Sequence, residues 1–125
     1  MIPIIYYAHA MGIYGTPAEQ KELAMIQAEF PKACIYNPNR PYIQRHKNPM
    51  GACIDIVKDS SITALVFSAY KGEVTQGVYF EVAISKKLNK EIFVILGERI
   101  KIFVGKFVRK KTRKKSYWKV VNYAC

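Results

Sequence analysis

The chain has 125 residues, 20 Lys plus Arg against 9 Asp plus Glu, a formal charge of +11, and apolar side chains at half its positions. That apolar content excludes a disordered tail or a histone-like arm, and the length fits one domain burying about two-thirds of its unfolded surface. No apolar run reaches the ~20 residues of a membrane span and no basic region precedes the first apolar segment, so neither a span nor a secretory signal is expected.

Residues 2–8 read as a buried strand, followed by a glycine-bearing stretch to Gly15. Thr16-Pro17-Ala18-Glu19 has the form of a capping box, with Thr16 accepting from the Glu19 amide while Glu19 reaches back. The helix that follows places Leu23, Ile26 and Phe30 at core spacing and should stop at Pro31. Residues 33–36 form a short strand, and 37–48 a polar, basic loop carrying Arg40, Arg45, His46 and Lys47. Asn48 and Pro49 open a second helix to about Asp59, with Met50, Cys53, Ile54 and Val57 on one stripe. Ile62–Ser68 is a strand, 71–76 a loop, 77–88 a helix, and Glu91–Leu96 another buried strand ending at Gly97.

Strand–helix alternation with short apolar strands predicts an α/β domain with a largely parallel sheet. The last quarter differs. Ile100, Ile102 and Val104 alternate with Lys101 and Phe103, residues 117–123 are again strand-like, and 109–115 between them is almost wholly cationic. This predicts an antiparallel hairpin with a basic tip. Residues 1–98 hold 10 basic and 9 acidic side chains, whereas 99–125 hold the other 10 basic groups and no acid. The expected organisation is one domain over 1–125, a nearly neutral core over 1–98 and a basic extension over 99–125.

Cys34, Cys53 and Cys125 form no pair at metal-ligand spacing, and only His9 and His46 accompany them. No metal and no cofactor is expected, and the odd cysteine count suits a reducing, cytoplasmic setting.

Ligands of open α/β sheets bind beyond the carboxyl ends of the strands. Three segments should meet there: Ala8–Gly15, Ser68–Gln76 and the start of the Gly77 helix. Glu81 falls in the expected first turn of that helix, on a stripe with Val78, Val82, Ser85 and Leu88. It either helps the helix start or points inward as a carboxylate that the helix dipole keeps ionised, which suits a nucleophile.

The stretch Gly77-Val78-Tyr79-Phe80-Glu81-Val82-Ala83-Ile84 resembles the Gly-Val-Gly-Tyr-Glu-hydrophobic-Ala signature of the nucleoside 2-deoxyribosyltransferase-like family. Ile5-Tyr6-Tyr7-Ala8-His9-Ala10-Met11-Gly12 is similar to that family's first strand and glycine-bearing loop, and the likeness covers roughly residues 2–96. The resemblance implies a Rossmann-like or flavodoxin-like sheet flanked by helices. It also implies cleavage or transfer at the N-glycosidic bond of a nucleoside or nucleoside 5′-monophosphate, through a glycosyl-enzyme intermediate. Glu81 is then the nucleophile. A second carboxylate, contacting the departing base or sugar, matches Asp55, with Asp59 the competitor. Asp55 lies about 140° round its helix from the apolar stripe. The chain departs from the family in having Ser60 and Ser61 where an acid is usual, Thr75 in place of a loop serine, and Tyr79-Phe80 for Gly-Tyr.

Tyr6, Tyr7, His9 and Gly12 stand at the expected mouth of the site, as base-stacking or hydrogen-bonding groups or simply as core. Arg40, Arg45, His46 and Lys47 either close over a phosphate or form a solvated loop, and Tyr70, Thr75 and Gly77 are candidates to line the loop beside Glu81. The relatives' habit of sharing sites between subunits implies a possible homo-oligomer, to which Val121-Asn122-Tyr123 is the candidate contributor. A different reading treats the domain as non-catalytic. Arg109, Lys110, Lys111, Arg113, Lys114 and Lys115, interleaved with Phe103, Phe107, Tyr117 and Trp118, would then hold a nucleotide signal or a nucleic acid.

Overall fold

The computed structural model describes residues 2–111 and 116–123, and every structural statement below concerns those residues. Strands β1 (Ile4–Ala8), β2 (Cys34–Tyr36), β3 (Ile62–Ser68), β5 (Glu91–Leu96) and β6 (Arg99–Ile102) form one sheet in the order β2-β1-β3-β5-β6. The first four are parallel, and β6 joins antiparallel to β5 through a tight turn at Gly97, whose φ is +60°. A second, antiparallel sheet has the order β4-β8-β7, from β4 (Glu73–Thr75), β7 (Gly105–Lys111) and β8 (Ser116–Asn122).

The main sheet is apolar on both faces, as parallel strands covered on both sides must be. Ile5, Tyr7, Ala64, Val66 and Ile95 pack with Ile26 of helix α1 (Pro17–Glu29). Tyr6, Ala8, Leu65, Phe67 and Val94 face the other way, onto Val57 of α3 (Pro49–Lys58) and onto Val78 and Val82 of α4 (Gln76–Lys87). The second sheet is pinned to that layer by aromatic rings. Trp118 stacks on Tyr79 of α4 with centroids 4.3 Å apart, and Phe107 meets Phe67, Phe103 and Tyr79.

The chain departs from the sequence expectation in four places. Residues 99–102 do not form the first arm of a hairpin with 117–123. They extend the main sheet, and the strands beside β8 are β4 and β7, with Lys106 of β7 opposite Val121 and Lys110 opposite Tyr117. Arg109, Lys110 and Lys111 therefore lie in a strand rather than a tip, while the remaining expected tip residues, 112–115, lie outside the described residues. The loop expected over 71–76 contains β4, and the polar stretch over 37–48 contains a single helical turn, α2 (Pro41–Gln44), that buries Ile43. On α1 the buried positions are Glu19, Glu22 and Ile26, with Leu23 and Phe30 only half-buried.

β7 and β8 approach closely at Gly105, where an added Cβ would stand 1.8 Å from the Val121 carbonyl oxygen. Gly105→Ala must separate the strands, so a loss of about 1–3 kcal/mol is expected, at the upper end because the obstacle is backbone. Urea denaturation measures it, and an unchanged midpoint would contradict the close approach.

Candidate active site

The strand order reverses between β1 and β3, and it is beyond the carboxyl ends of these strands that α/β sheets form a crevice. A cavity of about 410 Å³ lies there. That is within the range of small-molecule sites. Its walls come from the loop after β1 (His9–Gly12, Tyr14), from Ile43 and Gln44 of α2, from Pro49, Met50 and Cys53 at the start of α3, and from Thr75, Gly77, Val78 and Glu81 at the start of α4. Helix α3 begins where it does because the Asn48 side chain accepts from the Gly51 N–H and Pro49 needs no amide partner. The N-cap residue of α4, Thr75, makes no such side-chain bond, so the leading amides of α4 are not capped by it.

Glu81 is the one carboxylate among the lining residues, and it is 6% exposed. It is the sixth residue of α4, which begins at Gln76, and therefore lies in the second turn rather than the first. The dipole effect falls off within one turn. Burial accordingly dominates and pushes the carboxyl up to about 7, opposed by the Tyr6 hydroxyl. The expectation of a dipole-held, fully ionised carboxylate is replaced by a group that titrates near neutrality. The Tyr6 hydroxyl stands near enough to the Glu81 carboxylate to favour its ionised form by a weak, poorly aligned hydrogen bond, although it meets full hydrogen-bond geometry with neither Glu81 nor Cys53. Burial also pushes up the Cys53 thiol. Tyr6→Phe removes an unsatisfied buried hydroxyl, which leaves stability within about 1 kcal/mol of wild type. It also removes the group that lowers Glu81, so the Glu81 midpoint, followed by carboxyl-carbon NMR, is expected to rise. A fall in that midpoint would refute this placement of Tyr6.

Behind the cavity, on the α1 side of the sheet, lies a buried polar network that the sequence reading did not anticipate. His9 Nδ1 donates to the Tyr7 carbonyl at 3.1 Å, and its Nε2 lies 2.7 Å from Glu19 Oε2. Glu19 also accepts from the Gly15 N–H at 3.1 Å and from Asn39 Nδ2. Since Nδ1 carries a proton, the Nε2–Oε2 contact needs one as well, and the pair holds it as a unit with no net charge. Burial pulls His9 down, while its partners hold Glu19 below the usual carboxylate range. Glu22 accepts from the Tyr7 hydroxyl at 2.5 Å and from Ser68 Oγ at 2.8 Å. The Thr16 oxygen accepts the Glu19 amide, as the capping box requires, but the Glu19 carboxylate goes to Gly15, His9 and Asn39 instead of Thr16.

The structure brings Glu81, His9, Gly12, Thr75 and Gly77 to the cavity wall. Tyr6 approaches from beneath, while Tyr7 lies on the opposite face of the sheet, committed to Glu22. Asp55 is exposed and absent from the wall; the α3 side chain that faces Glu81 is Cys53. Asp59 is also exposed, accepting from the Ser61 amide and hydroxyl beyond the end of α3. Arg40 lies 4.2 Å over the Tyr36 ring and donates to the Asn37 carbonyl, and His46 Nδ1 accepts from the Asn48 amide, both outside the wall. Tyr70 lines an adjoining hollow of about 490 Å³ that shares Ala10, Thr75 and Val78 with the cavity. Asn122 is used within the chain, accepting from the Val104 amide and donating to the Ile102 carbonyl.

Among the described residues, no three His, Cys, Asp or Glu side chains group to hold a metal ion, and no helix is long and apolar enough to cross a membrane. No protein-family model matches the chain, and neither a curated protein nor a solved structure matches it.

Proposed function

We propose that this chain breaks or transfers the N-glycosidic bond of a nucleoside or nucleoside 5′-monophosphate, with Glu81 as the nucleophile. The observation that carries the reading is a single buried carboxylate, titrating near neutrality, in a nucleoside-sized cavity at the topological reversal of the sheet. Taken along the chain, the strands of the main sheet run 2-1-3-4-5, the flavodoxin-like order with its last strand reversed. The likeness of Gly77–Ile84 to the signature of the nucleoside 2-deoxyribosyltransferase-like family supports the same reading.

In the ionised protein a Glu81 oxygen bonds to C1′ as the C1′–N bond breaks, and the bonding pair leaves with the base, which takes up a proton. Water, or a second base in transfer, then attacks C1′ and returns the carboxylate. Tyr14 and Met50 offer apolar surface to a base. The amides at the start of α4, which the Thr75 side chain does not cap, suit an anionic 5′ group. With no second carboxylate in the wall, protonation of the base falls to a hydroxyl or to water rather than to Asp55.

That same lack favours a second reading, in which the cavity binds a nucleotide without cleaving it. Incubation with a panel of nucleosides and 5′-monophosphates, followed by chromatography of free base, separates the two. The glycosidic reading requires release that depends on Glu81; saturable binding with no release from any member supports the second.

A further inference from the structure

Resting on that glycosidic reading, we infer that the cavity is served by a strand-binding surface, and that its substrate is a nucleotide held within a single-stranded nucleic acid. The second sheet has two unlike faces. Trp118, Phe107 and Val74 turn inward to the aromatic layer, so the alternate positions turn outward. The outward set on β7 is Lys106, Val108 and Lys110, and on β8 it includes Tyr117 and Lys119. The three lysines are exposed, and the one acid on this face, Glu73, lies across the strands from Lys119. The described ion pairs, His9–Glu19 and Lys21–Glu98, involve none of these lysines. Cations spaced along a strand beside an aromatic ring match a phosphate backbone with stacking bases.

The face is continuous with the site. Tyr117 lies opposite Thr75 and lines the hollow of about 490 Å³, and Thr75 also lines the Glu81 cavity. A strand crossing the lysines thus passes Tyr117 and reaches Glu81 through that hollow with one base turned out of the stack, which costs little in a single strand. A lone mononucleotide would not need the basic face. The charge complementarity and the shared wall together select a polynucleotide.

The test uses the full chain and 12-nucleotide fluorescent single strands of DNA and of RNA, read by anisotropy at 50 and 200 mM salt. With three phosphate contacts, affinity is expected to fall about 20-fold between the two salts. The triple variant Lys106→Gln, Lys110→Gln, Lys119→Gln is expected to bind at least about 10-fold more weakly at low salt and to lose most of the salt dependence. Its circular dichroism and its release of base from mononucleotides should match wild type. No binding at 50 mM salt, or equal binding by the variant, overturns the surface. Strand binding without base release from the strand, in a protein that cleaves mononucleotides, overturns delivery to the cavity. Failure to cleave mononucleotides as well counts against the glycosidic reading, and anisotropy alone then decides the surface.

Discussion

Glu81→Gln is expected to lower base release at least about a thousandfold while leaving the fold intact. The amide keeps the size and polarity of the side chain, so the buried position that Glu81 shares with Val78, Val82 and Ser85 on α4 can be filled as before. What it loses is the negative oxygen that must form the bond to C1′, and removal of a covalent nucleophile commonly costs a thousandfold or more. Asp55→Asn, by contrast, changes a solvent-exposed residue outside the cavity wall, and turnover is expected within about twofold of wild type. A large loss on Asp55→Asn together with a small one on Glu81→Gln would reverse the assignment. Activity should also rise as pH increases through about 7, since the nucleophile is the deprotonated form and burial places its midpoint there.

The second large effect is on stability. Burial raises the Glu81 carboxyl from an ordinary value of 4.5 to about 7, so between those limits the folded chain keeps a proton that the unfolded chain has released. A raised carboxyl contributes its full stability below the unfolded value and loses it as pH rises through the folded one. The difference corresponds to about 3 kcal/mol. Glu81→Gln has no proton to lose at that position. Urea melts of both proteins at pH 4 and pH 8 should therefore show the variant gaining about 3 kcal/mol on wild type across the interval. Glu19 titrates in the opposite sense, being held low by His9, Gly15 and Asn39, but it is common to both proteins and cancels in the comparison. A difference that does not change with pH would mean that Glu81 is not buried in its carboxylate form.

Much of the main sheet is legible in the amino-acid order because β1, β3 and β5 are apolar on both faces and sit between amphipathic helices. Ile62–Ser68 and Glu91–Leu96 appear at the bounds expected of them. β6 is misread for a physical reason. The alternation of Ile100 and Ile102 with Lys101 suits either sheet equally, and the choice is made by the Gly97 turn, which folds Arg99 back onto Leu96. β4 has a single inward residue, Val74, too little to mark a strand, and exists because Trp118 pairs with it.

In the site, Glu81 is buried with Val78, Val82 and Ser85, the inward alternative of the two that periodicity leaves open. Its ionisation is not anticipated, because the expectation places Glu81 in the first turn, whereas even a start at Gly77 makes it the fifth residue, beyond the roughly 3.6 residues of one turn, where burial outweighs the dipole. Glu19 and Glu22 were open to detection. Counting back from Ile26 in steps of four and three gives Glu22 and Glu19 on the same buried stripe, and Tyr7, His9 and Ser68 supply the partners that buried carboxylates need. Cys53 lies on the expected apolar stripe of α3 and Tyr14 in the Ala8–Gly15 segment expected at the site, but their meeting in one cavity wall is set by tertiary packing.

The proposed chemistry requires a covalent bond between Glu81 and a sugar. The most direct measurement is intact-protein mass spectrometry after incubation with 2′-fluoro-2′-deoxynucleosides, whose fluorine slows departure of the sugar from the carboxylate. A mass increase equal to the fluorosugar, mapped to the peptide carrying Glu81 and absent from Glu81→Gln, is the expected result. Base release that proceeds with no adduct and survives Glu81→Gln, or an adduct on another residue, would contradict it.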